Sequence, residues 1–406
     1  NNYLQTETLS LEEFSAAETI DLFQRYVVAL EKKGKINREL ECLPSDEEIA
    51  ERKALGQGFT RPEIAVLMAY DKTLLKEQIL NSDLPEDPYF LPMLYSAFPK
   101  VLCEKYKDEM NNHSLKREII ATQLSNCVTN AMGINFVSRL HVETGAPVPF
   151  IVRVYMLTQK LFGLEDIWSK IRELDCKVNS KVQFAMILQL YFLARRSTRW
   201  FLRNYSEDFE VGKVLQQFYE PLTMLKKNIL KVLTKEQISL IGKKKASYID
   251  CDVPSALADE ISRYLFMFNA LDVLQGANES GAAYIDVAKV YFMLSARLDL
   301  SWLREKIISH KIDSQWDELA RSVLLDDVDY QQRILAINVL DYHPKDKKQS
   351  IDKTFDQWCE KYSSIYNRWK NFLGDVLASQ GAGYIMYAVV MRELYDLARA
   401  GKELKA

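Results

Sequence analysis

Glycine is scarce in this sequence, with 14 residues in 406, about half of the usual share of ~7%. Tight turns and hairpins depend on glycine, so its scarcity favours helices over sheets. No series of alternating apolar and polar segments is joined by hairpin turns, and no strand leads through a glycine-rich turn into a helix. The sequence therefore predicts an all-α protein without a Rossmann domain.

Cysteine occurs six times, and never in the spacing of a metal or redox motif. The nearest pair, Cys103 and Cys127, is 24 positions apart, and Cys-x-x-Cys is absent. This scatter gives no indication of a zinc ribbon or a redox pair and favours reduced thiols packed as small hydrophobic groups. We therefore expect a reducing compartment, the cytoplasm.

Excess charge and long apolar runs are also lacking. The net charge of −3 gives no electrostatic reason to expect nucleic acid or an anionic membrane as a partner. The longest apolar stretch, 184–194 with Gln189 inside it, is far shorter than the ~18 residues that span a bilayer. The first residue is asparagine and no signal segment follows it, so we expect a piece of a longer chain.

Signals for the starts and ends of helices are abundant. The capping box, Ser or Thr followed three positions later by Glu or Gln, occurs at Ser10, Ser45, Thr60 and Thr234. Glycines that could end helices in the left-handed conformation are Gly133, Gly145, Gly163 and Gly401. We predict roughly sixteen to eighteen helices in a body that is not a regular solenoid, because no fixed repeat of about 34 to 45 residues is found. The clearest predicted helices are 11–32, 61–80, 115–132, 149–162, 180–204, 208–233, 255–275, 283–297, 315–341, 349–378 and 383–400.

The predicted organisation has a helical segment at 1–55, followed by an all-helical domain at 56–406. Subdivision of that domain near the short polar loops 205–210 and 342–349 stays open. The segment 182–194 is apolar on almost every side, which is typical of a helix enclosed by others. We expect it to form the centre of the bundle.

Two Gly-x-Gly segments resemble the start of a nucleotide-binding loop. After Gly56 and Gly58, Arg61 stands where a third glycine would be needed, and the preceding residues are charged and helical in pattern. We interpret this segment as a turn followed by a helix that Thr60 caps. The second segment, Gly381 to Gly383, also lacks a third glycine and is interpreted as a turn between the last two helices.

The aspartates Asp326, Asp327 and Asp329 resemble the magnesium-binding cluster of all-α prenyl-transferring and terpene-forming enzymes. Residues one turn apart share a helix face and can bind one ion. The motif needs Asp at its fifth position, where this chain has Tyr330. We interpret the cluster as a solvated acidic face and keep a magnesium-dependent synthase as an alternative, which predicts that Asp326 and Asp327 face a large apolar cavity.

Arg195, Arg199 and Arg203 are spaced four residues apart and continue the apolar helix. Such a stripe can form internal ion pairs, an interface or a site for an anionic ligand. The sequence favours internal ion pairs and leaves the other two open.

Uncharged polar residues form a second stripe on an apolar helix, at Thr122, Asn126 and Asn130, with Thr129 beside it. Buried polar groups need partners, so we expect a hydrogen-bonded network between helices. Asp71 stands on the apolar face of its own helix, which supplies no companion carboxylate. It must be paired or lie at the edge of the core.

The residues alone predict no catalytic, cofactor-binding or metal-binding side chain. The four histidines are far apart, and none belongs to a His-x-x-x-His or Glu-x-x-His pair. A helical scaffold or adaptor that binds other proteins is therefore a second function that the residues allow.

Five distinctive stretches occur in order along the chain. They are SDEEIAERKALGQGFTRPEIAVLMAYDK (45–72), LKREIIATQLSNCVTNAMGINFVSRLHVETGA (115–146), RRSTRWFLRN (195–204), VYFMLSARLDLSWL (290–303) and WDELARSVLLDDVDYQQRILAINVL (316–340). Together they resemble the large bacterial NAD-specific glutamate dehydrogenases in the region after their catalytic domain. The likeness is weakest from about 205 to 280 and after 343, and Asp71 departs from the family pattern, in which a small residue is usual.

The resemblance implies a parent enzyme that converts L-glutamate, NAD and water into 2-oxoglutarate, ammonia and NADH. It implies that the dinucleotide loop and the catalytic residues lie upstream, because residues 1–10 resemble the tail of the catalytic region. This chain would then hold no cofactor itself. Its partners would be the upstream catalytic domain and further copies in a homo-oligomer, and its role would be assembly or regulation.

Overall fold

A computed structural model describes residues 2–312, 314–343, 349–379, 381 and 383–400. The described chain is 79% helical, with 22 α-helices and no strand. The predictions of an all-α fold and of no Rossmann domain are therefore confirmed. In the same residues, no helix has the length and apolarity that a membrane crossing requires.

The helices occupy most of the described residues. In chain order they are α1 (Asn2–Phe14), α2 (Ile20–Lys32), α3 (Asp46–Ala54), α4 (Arg61–Leu80), α5 (Leu91–Ser96), α6 (Lys100–Lys105), α7 (Lys107–Asn111), α8 (Lys116–Met132), α9 (Phe136–Thr144), α10 (Val148–Phe162), α11 (Leu164–Arg172), α12 (Ser180–Asn204), α13 (Val211–Asn228), α14 (Lys235–Ile249), α15 (Ser255–Met267), α16 (Ala270–Ser280), α17 (Tyr284–Arg297), α18 (Leu300–Ser309), α19 (Gln315–Tyr342), α20 (Ile351–Lys361), α21 (Ser363–Ala378) and α22 (Tyr384–Arg399). Short 3₁₀ turns occupy Leu84–Glu86, Pro88–Phe90 and Ile229–Lys231.

Several predicted helix bounds are confirmed, and three long predictions are wrong because each contains a break. The predicted 208–233 is too long, since α13 covers Val211–Asn228 and a 3₁₀ turn follows it. The helices 61–80 and 180–204 have the predicted bounds. The predicted 255–275 is interrupted between α15 and α16, and 349–378 is interrupted at Tyr362. The predicted 11–32 is broken between α1 and α2, where the hydroxyl of Ser15 bonds the Leu11 carbonyl and that of Thr19 bonds the Ser15 carbonyl. Such side-chain bonds compete with a continuous helix.

Three of the four predicted capping boxes are confirmed, at Ser45, Thr60 and Thr234. The fourth is wrong, because Ser10 lies inside α1 and its hydroxyl donates to the Thr6 carbonyl. The predicted glycine stops have positive φ at Gly133, Gly145 and Gly163, whereas Gly401 lies outside the described residues.

The chain divides into two compact units. The first contains residues up to Trp168 together with Leu190–Val214, and the second contains Ser169–Gln189 and the residues from Leu215 onward. Helix α12 therefore contributes its first part to the second unit and its remainder to the first. The idea that this helix is enclosed on every side is wrong at Phe192, whose surface is 56% exposed.

The core of the first unit joins the beginning of the chain to α4. Phe23, Val27 and Ile49 pack in one cluster with Ile64 and Leu67. The segment 1–55 thus shares a core with residues after position 56, and the domain boundary at residue 55 stays a prediction.

The second unit is built around α19, its longest helix, which packs against α16, α17, α18, α20 and α22. Helices α14 and α15 pack as a neighbouring pair, and α21 packs along α22. Trp358 and Trp369 are fully buried there, so the last three helices belong to its core.

Candidate functional site

Polar groups from α1, α2, α4 and α8 meet near the turn between α8 and α9. Gly133 and Asn135 both have positive φ, at 73° and 70°. This conformation costs little for glycine and is tolerated by asparagine. It interrupts the helix after Gly133, whose amide still donates to the Thr129 carbonyl, so the amides of Ile134 and Asn135 are available to other acceptors. Two carboxylates from other helices accept hydrogen bonds from these amides.

Asp71 on α4 is the first of these carboxylates. It accepts hydrogen bonds from the Tyr26 hydroxyl (2.9 Å), from the Thr129 hydroxyl (3.0 Å) and from the amide of Asn135. Burial raises the pKa of Asp71 to about 6, and these donors partly oppose the rise. The sequence predicts that Asp71 is either paired or at the edge of the core. It is paired, and its side-chain partners come from α2 and α8 rather than from α4.

Glu12 on α1 is the second carboxylate, and the sequence reasoning missed it. Its Oε1 atom accepts a hydrogen bond of 2.9 Å from the amide of Ile134. Burial raises the pKa of Glu12 to about 7; the Ile134 amide and the charge of Arg139 oppose the rise, and the charge of Asp71 adds to it. We call Glu12, Asp71 and residues 133–135 the turn cluster.

An arginine cluster lies beside it, formed by Arg139 and Glu143 on α9 and by Arg195 and Arg199 on α12. The Glu143 carboxylate accepts hydrogen bonds from Arg195 and, at 2.6 Å, from Arg199, and Arg139 lies 4.0 Å away. Burial would raise the pKa of Glu143, but the three guanidinium groups hold it below its ordinary value. Burial and the neighbouring Arg139 lower the pKa of Arg195.

These contacts decide part of the question about the arginine stripe. Arg195 and Arg199 form internal ion pairs, which is the interpretation that the sequence favoured. Arg203, one turn further along α12, is exposed.

The polar stripe of α8 forms the expected network between helices only in part. Thr129 reaches Asp71, and the backbone carbonyl of Asn130 accepts a hydrogen bond of 2.5 Å from Thr8 on α1. Ser125, which the sequence analysis did not single out, donates to the Lys72 carbonyl on α4. Thr122 does not join the network, because its hydroxyl donates to the Glu118 carbonyl one turn back in the same helix.

The aspartate cluster of α19 lies in the second unit, where Asp329 is buried. It accepts a hydrogen bond of 2.7 Å from Arg304, and the same guanidinium group donates to Gln332 at 2.6 Å. Asp329, the third carboxylate of the aspartate cluster, thus forms an ion pair with Arg304. In the described residues, no group of three or more His, Cys, Asp or Glu side chains could hold a metal ion.

A second buried ion pair accompanies Arg304 and Asp329. Arg333, also on α19, donates to Asp272 of α16 at 2.9 Å, and both side chains are almost completely buried. A cleft of about 410 Å³ opens elsewhere in this unit, between residues of α14, α17 and α20. A magnesium-dependent synthase that used this cleft would have Asp326 and Asp327 in its lining. Neither residue lines it.

The first Gly-x-Gly segment has the predicted form of a turn followed by a helix. Gly56 adopts φ of 66°, and a Cβ atom at Gly58 would lie 2.2 Å from the carbonyl carbon of Ala16. Arg61, in the place of the third glycine, donates to Ser10 and to Glu13 of α1 at 3.0 Å each. The segment therefore attaches α4 to α1. The second segment lies between α21 and α22, and Ala382 in it lies outside the described residues.

Comparison with known proteins agrees with the resemblance seen in the sequence. Residues 56–396 match the family described as glutamate dehydrogenase, C-terminal. Proteins named NAD-specific glutamate dehydrogenase are 36% identical over 402 residues in Pseudomonas aeruginosa, 36% over 405 residues in Halomonas elongata and 28% over 399 residues in Mycobacterium tuberculosis. These alignments cover 98–99% of this chain but only 24–25% of each relative, so the chain spans about a quarter of their length. The chain belongs to the family of C-terminal regions of NAD-specific glutamate dehydrogenases.

Proposed function

We propose that this chain is the non-catalytic helical domain of a polypeptide that oxidises L-glutamate with NAD to 2-oxoglutarate and ammonia. The observation that carries the proposal is the coverage, because nearly all of this chain matches relatives of which it is only a quarter. The remaining length offers room for a dinucleotide-binding fold, which hydride transfer from glutamate requires. The partner of this domain is then the catalytic region of the same polypeptide, in the cytoplasm.

The pairing of the buried charges supports a structural role. Glu143 is shared by Arg195 and Arg199, Asp329 is bound by Arg304, and Asp272 by Arg333. Each of these contacts joins two different helices. The buried charges therefore hold helices in register, which suits a domain that gives a rigid support to another part of the protein.

Calorimetric titration tests the non-catalytic assignment. The isolated chain is titrated with NAD in the presence and absence of glutamate, and the full-length polypeptide serves as the positive control. We expect heat of binding only from the full-length protein. Tight, stoichiometric NAD binding by residues 1–406 would contradict the proposal.

We propose assembly of subunits as the specific role of this domain. The contact would be made by the end of the α21–α22 hairpin at which α21 ends and α22 begins. Arg368 of α21 pairs with Glu393 and Asp396 near the end of α22, so the two helices run antiparallel. Leu377 and Ile385 consequently lie at the same end of the hairpin, 53% and 84% exposed, with Val389 a turn further at 45%. Apolar side chains clustered at a surface are typical of contacts between proteins, and we propose a second copy of the polypeptide as the partner.

The size of the full-length enzyme in solution tests the assembly role. Light scattering during gel filtration compares the intact polypeptide with a form that lacks residues 1–406, because 1–55 shares a core with the residues that follow it. We expect the shortened form to have fewer subunits. An unchanged number of subunits would remove assembly from the proposal and leave the family assignment intact.

A further inference from the structure

The turn cluster fastens three separate segments of the first unit at one point. Glu12 on α1 accepts from the Ile134 amide, and Asp71 on α4 accepts from the Asn135 amide. Thr8, one turn before Glu12, donates to the carbonyl of Asn130 at the end of α8. Helix α1 is thus held to the end of α8 by two hydrogen bonds, of which one depends on a carboxylate.

Charged and titratable groups on α2, α4, α9 and α12 surround the two carboxylates and their neighbour Tyr191. Glu12 interacts with Asp71 and Tyr191, Asp71 with Tyr26, and Tyr191 also with Arg195 and Glu143. Arg139 is the cation that acts on Glu12, and Lys72 is the cation that acts on Asp71. Arg195 is engaged by Glu143. One cation thus acts on each carboxylate, and burial nevertheless raises the pKa of both.

We propose that Glu12 and Asp71 form a proton-operated latch, which holds α1 against the turn 133–135 when Glu12 is protonated and loosens α1 when both carboxylates are ionised. A protonated Glu12 keeps a carbonyl oxygen that accepts from Ile134, and it removes the repulsion between the two carboxylates. The ionised Glu12 keeps the hydrogen bond but adds a second negative charge beside Asp71, where burial disfavours the ionised form.

The direction of the pH effect follows from the raised pKa of Glu12, about 7 in the folded chain against an ordinary value of 4.5. The open form binds the proton less tightly than the closed form, so acid favours closure. The stabilisation of the closed form by the Glu12 proton is complete below about pH 4.5, and it is lost as the pH rises through about 7. Asp71 acts in the same direction at lower pH, because its pKa is raised from 3.8 to about 6. The latch involves only residues of this chain, so a negative result in the assembly test would leave it unaffected.

Hydrogen exchange of the full chain, followed by mass spectrometry of peptides that contain residues 2–14 and 133–139, tests the latch between pH 5.5 and 8. The variants are Glu12→Gln, which keeps an oxygen acceptor without a charge, and Glu13→Gln as the matched control. Glu13 is the neighbouring residue, and it pairs with Arg61. Comparing variants at the same pH cancels the intrinsic pH dependence of exchange.

The expected result is a difference that grows with pH. Wild type and Glu13→Gln open more readily as the pH rises, by several-fold and up to about tenfold per pH unit between pH 6 and 7. Glu12→Gln loses this rise, so at pH 7.5 its two peptides exchange more slowly than those of the wild type. A ratio of wild-type to Glu12→Gln exchange that is constant across the pH range would overturn the latch.

Asp71→Asn gives a second, independent measurement. Removing the Asp71 charge takes away a cause that raises the pKa of Glu12, so the rise in exchange should move to lower pH. A midpoint that stays in place would show that the two carboxylates do not act together, and the proposal of a paired latch would fail.

Discussion

The carboxylate of Glu12 occupies the space that a side chain at position 133 would need. A Cβ atom built on Gly133 would lie 2.0 Å from Oε1 of Glu12, and the residue also has φ of 73°. Glycine is therefore required at this position for two reasons: the backbone has a positive φ, and α1 approaches too closely to leave room for a side chain. The same atom of Glu12 accepts the hydrogen bond from Ile134, so it cannot move away without losing that bond.

Gly133→Ala should consequently destabilise the first unit more than the same change at a glycine that is only strained. We expect a cost of about 2–4 kcal/mol, from the unfavourable φ and from displacement of Glu12. Gly145→Ala is the matched control, because Gly145 has φ of 72° but open space around it, and its cost should be about 1 kcal/mol. Urea unfolding followed by circular dichroism measures both; equal costs would show that the contact with Glu12 is unimportant.

Glu143→Gln tests the arginine cluster. The change removes the negative charge that Arg195 and Arg199 share in a buried place, so both guanidinium groups lose this carboxylate. We expect a loss of about 3 kcal/mol or more in the free energy of unfolding. Glu210→Gln is the control, since Glu210 and its partner Lys213 are mostly exposed, and its effect should stay within about 1 kcal/mol. A loss at Glu143 no larger than that at Glu210 would contradict the pairing described for this cluster.

Gly58→Ala tests how the first Gly-x-Gly segment holds α1 and α4 together. The added methyl group would meet the backbone carbonyl of Ala16 at 2.2–2.3 Å, and backbone atoms cannot turn aside as a flexible side chain can. We expect a cost of about 2–4 kcal/mol. Gly242→Ala is the opposite case, because Gly242 lies inside α14 with open space around it, and alanine there should stabilise the helix by up to about 1 kcal/mol. Thermal unfolding of both variants distinguishes the two effects by sign.

The helices were largely predictable from the sequence because their signals are local. Thr60 and Glu63 form the capping box that the sequence indicates, and α4 begins and ends where predicted. Ser10 shows the limit of such signals. Its spacing to Glu13 fits a helix start, but α1 already runs from Asn2, and a four-residue pattern does not contain that information.

The candidate site was much less predictable, because its contacts join distant parts of the chain. Glu12 and Ile134 are 122 positions apart, and no periodicity connects them. Asp71 was recognisable as a carboxylate on an apolar face, but its partners Tyr26 and Thr129 lie on two other helices. The arginine stripe was visible as a pattern, whereas its shared acceptor Glu143 became identifiable only when α9 was placed beside α12.

Substitutions at the end of the α21–α22 hairpin, where α21 ends and α22 begins, give the most direct test of assembly. Ile385 is 84% exposed, so a polar substitution there leaves the core of the domain unchanged. If the proposed assembly role holds, we expect Ile385→Asp combined with Val389→Asp to reduce the number of subunits of the full-length polypeptide, because a charge buried in an apolar contact is strongly unfavourable. Leu40→Asp is the matched control, since Leu40 is a similarly exposed apolar residue, at 79%, in the first unit. Light scattering gives the subunit number, and circular dichroism checks that each variant remains helical. Folded variants that all retain the wild-type number of subunits would exclude the hairpin as the contact, while loss of assembly in Leu40→Asp alone would move the interface to the first unit.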